Sequence, residues 1–193
     1  MGKIKLLITD FDGTLVDTFE ANFLGYQAAF NAIGMSIDKA TYQKHFGMRF
    51  DRFMDCMNIG DIETRQRIQD LKTQFYPDFF NKIKVNTPLL EIIRAHHRSG
   101  GMTAIASTAR TENLMNLLTH INAVNDFDII LAGDEVKEGK PSPEIYLTIL
   151  KKAGVTHGEA IIFEDSPVGI QAAQAAGIQH LVITPQYFKN PAE

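Results

Sequence analysis

Two aspartates separated by a single residue follow a short apolar run. Ile4 to Ile8 leads through Thr9 into Asp10-Phe11-Asp12-Gly13-Thr14. In near-extended chain, residues i and i+2 point to one side, so Asp10 and Asp12 share a face while Phe11 turns toward packed core. Gly13 permits the sharp turn that follows. Carboxylates this close repel unless a cation, a shared proton or hydrogen bonds relieve them. A hard cation such as Mg²⁺ relieves them and also screens an incoming phosphate dianion. One carboxylate can then attack phosphorus to give an aspartyl-phosphate. The other can protonate the leaving oxygen and later activate water. Taken alone, Asp-x-Asp-Gly also reads as an ordinary turn with solvated carboxylates.

Three further groups stand at or after apolar runs. Thr103 to Ala106 ends in Ser107-Thr108, just before a helical pattern that starts near Glu112. A hydroxyl and free backbone N–H groups at such a junction can bind a phosphoryl oxygen, although both residues also read as helix caps. In Gly139-Lys140-Pro141-Ser142-Pro143-Glu144, Ser142 is expected as N-cap and Pro143 as first helical residue. Pro141 biases Lys140 away from helix, so its ammonium sits on a stiffened loop where it can pair with the carboxylates and a transferring phosphate. Ala160 to Phe163 ends in Glu164-Asp165-Ser166-Pro167. Asp165 can complete a magnesium shell with Asp10, and Glu164 can join or support it. Asp165 or Ser166 also reads as a cap, with Pro167 starting the helix.

These groups need a frame. The apolar runs Ile4 to Ile8, Thr103 to Ala106, Ile129 to Leu131, Ala160 to Phe163 and Leu181 to Ile183 read as strands buried on both faces. Helical patterns lie between the later ones: Pro88 to Arg98, Glu112 to Ile121, Pro143 to Ala153 and Val168 to Ala176, with Gly177 at a helix C′ position. The alternation predicts an α/β fold with a doubly wound parallel sheet. Residues 17–85 differ. They hold no buried strand and show helical periodicity, with helices expected at Phe19 to Ile33, Asp38 to His45, Phe50 to Met57 and Glu63 to Phe80. The expected organisation is a core of 1–16 and 86–193, with 17–85 an inserted helical cap joined through two linkers.

Hydrophobic residues make up 45% of the 193 and charged residues 22%, the balance of a globular domain. A net charge of −4 leaves no global basic field for nucleic acid. The single cysteine, Cys56, excludes an intrachain disulfide and reads as a small apolar helix residue. The apolar run near the start is too short for a signal peptide or membrane span. A cytoplasmic protein with neither nucleic acid nor membrane as partner is expected.

In order, acid pair, hydroxyl, lysine and acid pair resemble the haloacid dehalogenase superfamily. Its four motifs correspond to Asp10 to Thr14 (continuing Leu15-Val16-Asp17-Thr18), Ser107, Lys140 and Glu164-Asp165-Ser166-x-x-Gly169. The helical insertion resembles the class-one cap of β-phosphoglucomutase-like and phosphoglycolate-phosphatase-like members. The resemblance implies Asp10 as nucleophile and metal ligand. Asp12 would be acid/base and a ligand through its carbonyl, Ser107 the phosphoryl holder and Lys140 the neutraliser of transition-state charge. Asp165, with Glu164, would hold Mg²⁺. Thr108, Arg110 and the cap residue Arg49, in Phe46-Gly47-Met48-Arg49, are candidates for phosphate or substrate binding. The implied activity is a Mg²⁺-dependent phosphatase of a small phosphorylated metabolite, in a monomer or weak homodimer. A sugar-phosphate mutase is the alternative, disfavoured because Asn22 stands where β-phosphoglucomutases carry a histidine. A non-catalytic binding protein on the same fold is a third reading.

Overall fold

A computed structural model describes residues 3–188 of the chain. Two compact units are present, Met1–Asp17 with Lys84–Glu193, and Thr18–Ile83.

The first unit is built on five parallel strands: β1 Leu6–Thr9, β4 Met102–Ala106, β5 Ile129–Leu131, β6 Ala160–Glu164 and β7 Gln179–Val182. Their order is β5-β4-β1-β6-β7. All four residues of β1 are buried, as are four of five in β4 and in β6, because these strands are covered on both faces. Leu6 pairs with Met102 on one side and Ala160 on the other. β1 is therefore central, and the carboxyl ends of β4, β1 and β6 lie side by side, where open α/β sheets place their ligands.

Four helices complete this unit: α5 Thr87–Arg98, α6 Thr111–His120, α7 Glu144–Ala153 and α8 Pro167–Ala175. Ile145, Tyr146 and Ile149 of α7 and Ala172 and Ala173 of α8 pack with Leu6, Ile8, Ala104 and Ile162. Ser166 caps α8, its hydroxyl accepting from Gly169 N at 3.1 Å, with Pro167 at the first helical position. Gly177 follows the helix in the left-handed region at φ 68°. Two sequence expectations shift. Pro143 rather than Ser142 occupies the N-cap position of α7 and makes no side-chain capping bond, while Ser142 Oγ accepts from Glu144 N at 3.3 Å. The last strand covers Gln179–Val182 rather than Leu181 to Ile183. As an edge strand paired, among the described residues, with β6 alone, it carries polar residues that an apolar run does not reveal.

Where the sequence suggested linkers, the structure has a two-stranded antiparallel pair, β2 Val16–Asp17 and β3 Lys84–Val85, with Val16 opposite Val85. Asn86 secures it. Its N–H donates to Leu15 O at 2.8 Å, its amide nitrogen donates to Thr14 O at 3.1 Å, and its side-chain oxygen caps α5 at Leu89 N at 3.2 Å.

The second unit holds α1 Phe19–Ala32, α2 Lys39–His45, α3 Phe50–Cys56 and α4 Ile62–Phe75. Phe23, Phe30, Tyr42, Phe53, Met54, Ile68 and Leu71 form its core. Tyr42 is the hub, with its ring 5.6 Å from those of Phe19 and Tyr26 and 5.8 Å from that of Phe53. Asp38 and Asp61 cap α2 and α4, each accepting a backbone N–H at 2.7 Å. The expected helix Glu63 to Phe80 stops at Phe75 and continues as a 3₁₀ turn, Tyr76–Lys82. Pro77 has no N–H to continue the ladder and clashes with the carbonyl four residues back. Cys56 is exposed rather than packed, while Phe53 and Met54 on the same helix are buried. Among the described residues, no helix is long and apolar enough to cross a membrane.

Candidate active site

Beyond β1 the chain keeps its pairing for one residue. Asp10 N donates to Phe163 O at 2.9 Å, which holds Asp10 against β6 with 6% exposure. It then curls tightly, with Leu15 N and Val16 N both donating to Phe11 O and Gly13 N to Val16 O. Phe11 is buried as its alternation predicts. Gly13 has φ +93°, and a Cβ there would stand 2.3 Å from Asp165 Oδ2. No other residue fits both the turn and the approach. Thr14, fully buried, donates its hydroxyl to Asp165 Oδ1 at 2.7 Å and so fixes that carboxylate.

Lys140 enters from the loop before α7. Its ammonium donates to Asp10 Oδ1 at 2.5 Å, Glu164 Oε1 at 2.6 Å and Ala106 O at 3.0 Å. Three donors thus meet three acceptors, and the side chain is only 2% exposed. Burial alone would lower its pKa, but the Asp10 and Glu164 carboxylates outweigh that and hold it well above the ordinary lysine value, so it stays protonated.

Glu164 is fully buried and engaged on both oxygens. Oε1 accepts from Lys140 and from Tyr146 Oη at 2.9 Å. Oε2 accepts from Asp165 N and Ser166 N at 3.0 Å and from Ser166 Oγ at 3.1 Å. A Cβ at Gly169 would come within 1.7 Å of Oε1, so α8 needs a glycine to pass this carboxylate. Burial pushes Glu164 up, but Lys140 and the hydrogen bonds bring it below the ordinary value.

Asp10, Glu164 and Asp165 each offer a ligand atom, all within 4.8 Å of one another, as a metal ion requires. Their charges are unevenly relieved. Burial raises Asp10 well above the usual carboxylate range, with Glu164 and Asp165 adding to the rise and Lys140 opposing it. Burial likewise raises Asp165 to about 6, against the pull of the Thr14 hydrogen bond. Two hard oxygen donors short of positive charge suit Mg²⁺. Glu164, whose oxygens already accept five hydrogen bonds, is better placed to hold Lys140 and the start of α8.

The remaining residues named from sequence fall in two groups. Ser107 is fully buried at the end of β4; its hydroxyl accepts from Ala109 N at 3.0 Å and reaches Asp12 Oδ2 at 3.4 Å. Asp10, Asp12, Ser107, Lys140, Glu164 and Asp165 therefore form one contiguous cluster at the ends of β1, β4 and β6. Thr108 and Arg110 lie on the loop just beyond. Arg110 occupies the N-cap position of α6, with its Nε 3.8 Å from Asp134 Oδ2. Arg49 belongs to the helical unit, at the N-cap position of α3, with its Nε 3.3 Å from Asp51 Oδ1.

The sequence model of the haloacid dehalogenase-like hydrolase family matches residues 7–183, spanning every member of this cluster. The chain belongs to that family. Among curated haloacid dehalogenase-like relatives, protein CbbY of Rhodobacter capsulatus is 32% identical, over 96% of this chain and 87% of its own. A phosphorylated carbohydrates phosphatase of Thermotoga maritima is 26% identical, over 92% and 84%. Among solved structures, CbbY from Rhodobacter sphaeroides in complex with phosphate superposes with a TM-score of 0.84 at 26% identity, covering 97% of this chain and 89% of that one. A β-phosphoglucomutase from Clostridium difficile shares the fold, with a TM-score of 0.80 at 22% identity. The chain is an enzyme of the phosphatase kind within this family of hydrolases.

Two members of the site escaped sequence reasoning. Tyr146 carries Glu164 on its hydroxyl, and the Lys140 ammonium lies 5.2 Å from the centroid of its ring. In sequence it reads as a core position of α7. Its phenol, which must find a partner when buried, was the available signal. Thr14 reads in sequence only as the last residue of its motif, although a buried hydroxyl next to a carboxylate loop carries the same hint.

Proposed function

We propose that this chain is a Mg²⁺-dependent phosphatase of small phosphorylated sugars that works through an aspartyl-phosphate on Asp10. The observation that carries the reading is the buried Asp10 carboxylate, one oxygen held by Lys140 and neighboured by Asp165. Relatives named for phosphorylated carbohydrates and for fructose 1-phosphate support the substrate class.

Lys140 orients Asp10 and keeps positive charge beside the oxygens that gain charge during transfer. An Asp10 oxygen attacks phosphorus, and the bond to the sugar oxygen breaks as Asp12 gives that oxygen a proton. The Ser107 hydroxyl is available to a phosphoryl oxygen. Asp12 then takes a proton from water as water attacks the phosphorus, which releases phosphate and restores Asp10. Asp10 and Asp165 would hold Mg²⁺ through their side chains and Asp12 through its carbonyl, and the ion would supply charge neutralisation for the dianionic phosphate. Thr108 and Arg110 on the adjoining loop are proposed to contact the phosphate or sugar, and Arg49 is proposed as a further sugar-binding residue.

The test is phosphate release from a panel of sugar phosphates, with Mg²⁺ and with chelator, for wild type and Asp10→Asn. Magnesium-dependent release abolished by the substitution is expected. Normal turnover of Asp10→Asn sinks the assignment. Conversion of β-glucose 1-phosphate to glucose 6-phosphate with little free phosphate establishes the mutase instead.

A further inference from the structure

A second set of contacts, apart from the carboxylates, binds the loop after β4 to the loop after β5. Ser107 N donates to Leu131 O at 3.1 Å, and Gly133 N donates to Ala109 O at 2.8 Å. Thr111 N and Thr111 Oγ1 both donate to Asp134 Oδ1, at 3.0 and 2.8 Å, while Arg110 Nε lies 3.8 Å from Asp134 Oδ2. The two loops also touch backbone to backbone. A Cβ at Gly133 would stand 2.4 Å from Thr108 O.

This arrangement answers a local deficit. The first turn of a helix leaves N–H groups without intrahelical partners. Arg110 stands at the N-cap position of α6 and makes no side-chain capping bond. The acceptor comes instead from Asp134, more than twenty residues further along the chain. The segment so restrained, residues 107–111, carries the Ser107 hydroxyl and the start of α6.

We propose that Asp134 is a positioning residue for phosphate binding. By capping α6 from a neighbouring loop it fixes residues 107–111 in the geometry that receives the phosphoryl group. The inference rests on the phosphatase reading for what that segment binds. The two carboxylate oxygens have separable tasks: Oδ1 serves as the cap, and Oδ2 restrains the Arg110 guanidinium. Freed of both, the segment shifts, and misplacement on the ångström scale at a phosphate site is costly.

The experiment compares wild type, Asp134→Ala, Asp134→Asn and Thr111→Val at 25 °C with Mg²⁺. It measures kcat and KM on the best sugar phosphate and, independently, inorganic phosphate binding by calorimetry. Asp134→Ala is expected to weaken phosphate binding and raise KM by roughly tenfold, with a smaller change in kcat. Asp134→Asn keeps an acceptor for both Thr111 donors and should restore most of the loss. Thr111→Val keeps the N–H bond and should fall between. A lowered Tm with wild-type phosphate affinity in Asp134→Ala and Thr111→Val would make Asp134 a stability cap only and overturn the proposal. Equal losses in Asp134→Asn and Asp134→Ala would assign the effect to charge and overturn the capping argument. A wild type that hydrolyses no ester refutes the phosphatase reading, while the calorimetric comparison still decides the role of Asp134. A wild type that binds no phosphate overturns this inference too.

Discussion

Replacing Lys140 by methionine shortens the side chain by one heavy atom, keeps it unbranched and removes its charge and its donors. In the native protein the ammonium meets Asp10, Glu164 and the Ala106 carbonyl at 2.5, 2.6 and 3.0 Å, and it is 2% exposed. Nothing in the cluster replaces it, so the substitution leaves two buried carboxylates facing an apolar group. Removing one partner of a buried ion pair costs about 3–5 kcal/mol. At about 2–4 °C per kcal/mol for a chain of this size, Tm should fall by about 6–20 °C. The sign of the pH dependence follows from Asp10. Burial, Glu164 and Asp165 already push its pKa up, and Lys140 opposes them. Without the lysine it rises further. A carboxyl group whose folded pKa is raised stabilises the fold at low pH and loses that contribution as pH rises through the folded value. The gap between variant and wild type should therefore be widest near pH 8 and narrow toward pH 5. Thermal unfolding followed by circular dichroism, in chelator at several pH values, measures this. Turnover should fall by roughly 10²–10³-fold through loss of a charge aimed at the transferring group. An unchanged Tm at pH 8, or a gap that widens on acidification, would refute the picture of Lys140 as countercharge.

Three other perturbations probe separate parts of the structure. Mg²⁺ at about 100 times its dissociation constant should stabilise the protein by about 2.7 kcal/mol. Asp165→Asn should erase that gain in a thermal shift assay, since Asp165 offers one of the ligand atoms. Gly169→Ala places a Cβ 1.7 Å from Glu164 Oε1. It should cost about 1–3 kcal/mol by overpacking and lower kcat by displacing the carboxylate that holds Lys140; urea unfolding and turnover read the two effects. Asn86→Ala removes a helix cap and leaves the Thr14 carbonyl without its amide donor. A loss of about 2 kcal/mol is expected in equilibrium unfolding.

The parallel strands were legible because burial on both faces forces continuous apolar runs. The acidic loops were legible because carboxylates follow those runs directly. That signal fades at β7, where half the pairing surface faces solvent and Gln179 and His180 interrupt the run. It fails for β2 and β3, two residues each, whose pairing joins positions far apart in sequence. The same non-locality hid the partners of the site. Spacing shows that Asp10 and Asp12 can share a face, but not that Thr14 holds Asp165, that Tyr146 holds Glu164 or that Asp134 caps α6. Each of these contacts exists only once the sheet has brought separate loops together. Glu164 is the instructive case: its residue type and position suggest a metal ligand, and only the structure shows that its two oxygens also accept five hydrogen bonds.

The antiparallel pairing of Val16 with Val85 bears on how such a chain can change. From the sheet's side, Thr18–Ile83 is a single excursion that starts and ends at the base of a hairpin. Closing a loop of that length in place of a two-residue turn costs only about 3 kcal/mol, since closure entropy grows with the logarithm of length. The excursion can thus be shortened, lengthened or exchanged for an unrelated cassette while the register of every strand in the sheet stays put. A short Asn-Gly connection from Asp17 to Lys84 would leave a minimal catalytic module, and grafting a foreign segment between the same two residues would give a chimera. Heredity can retool one part of this molecule and keep the other.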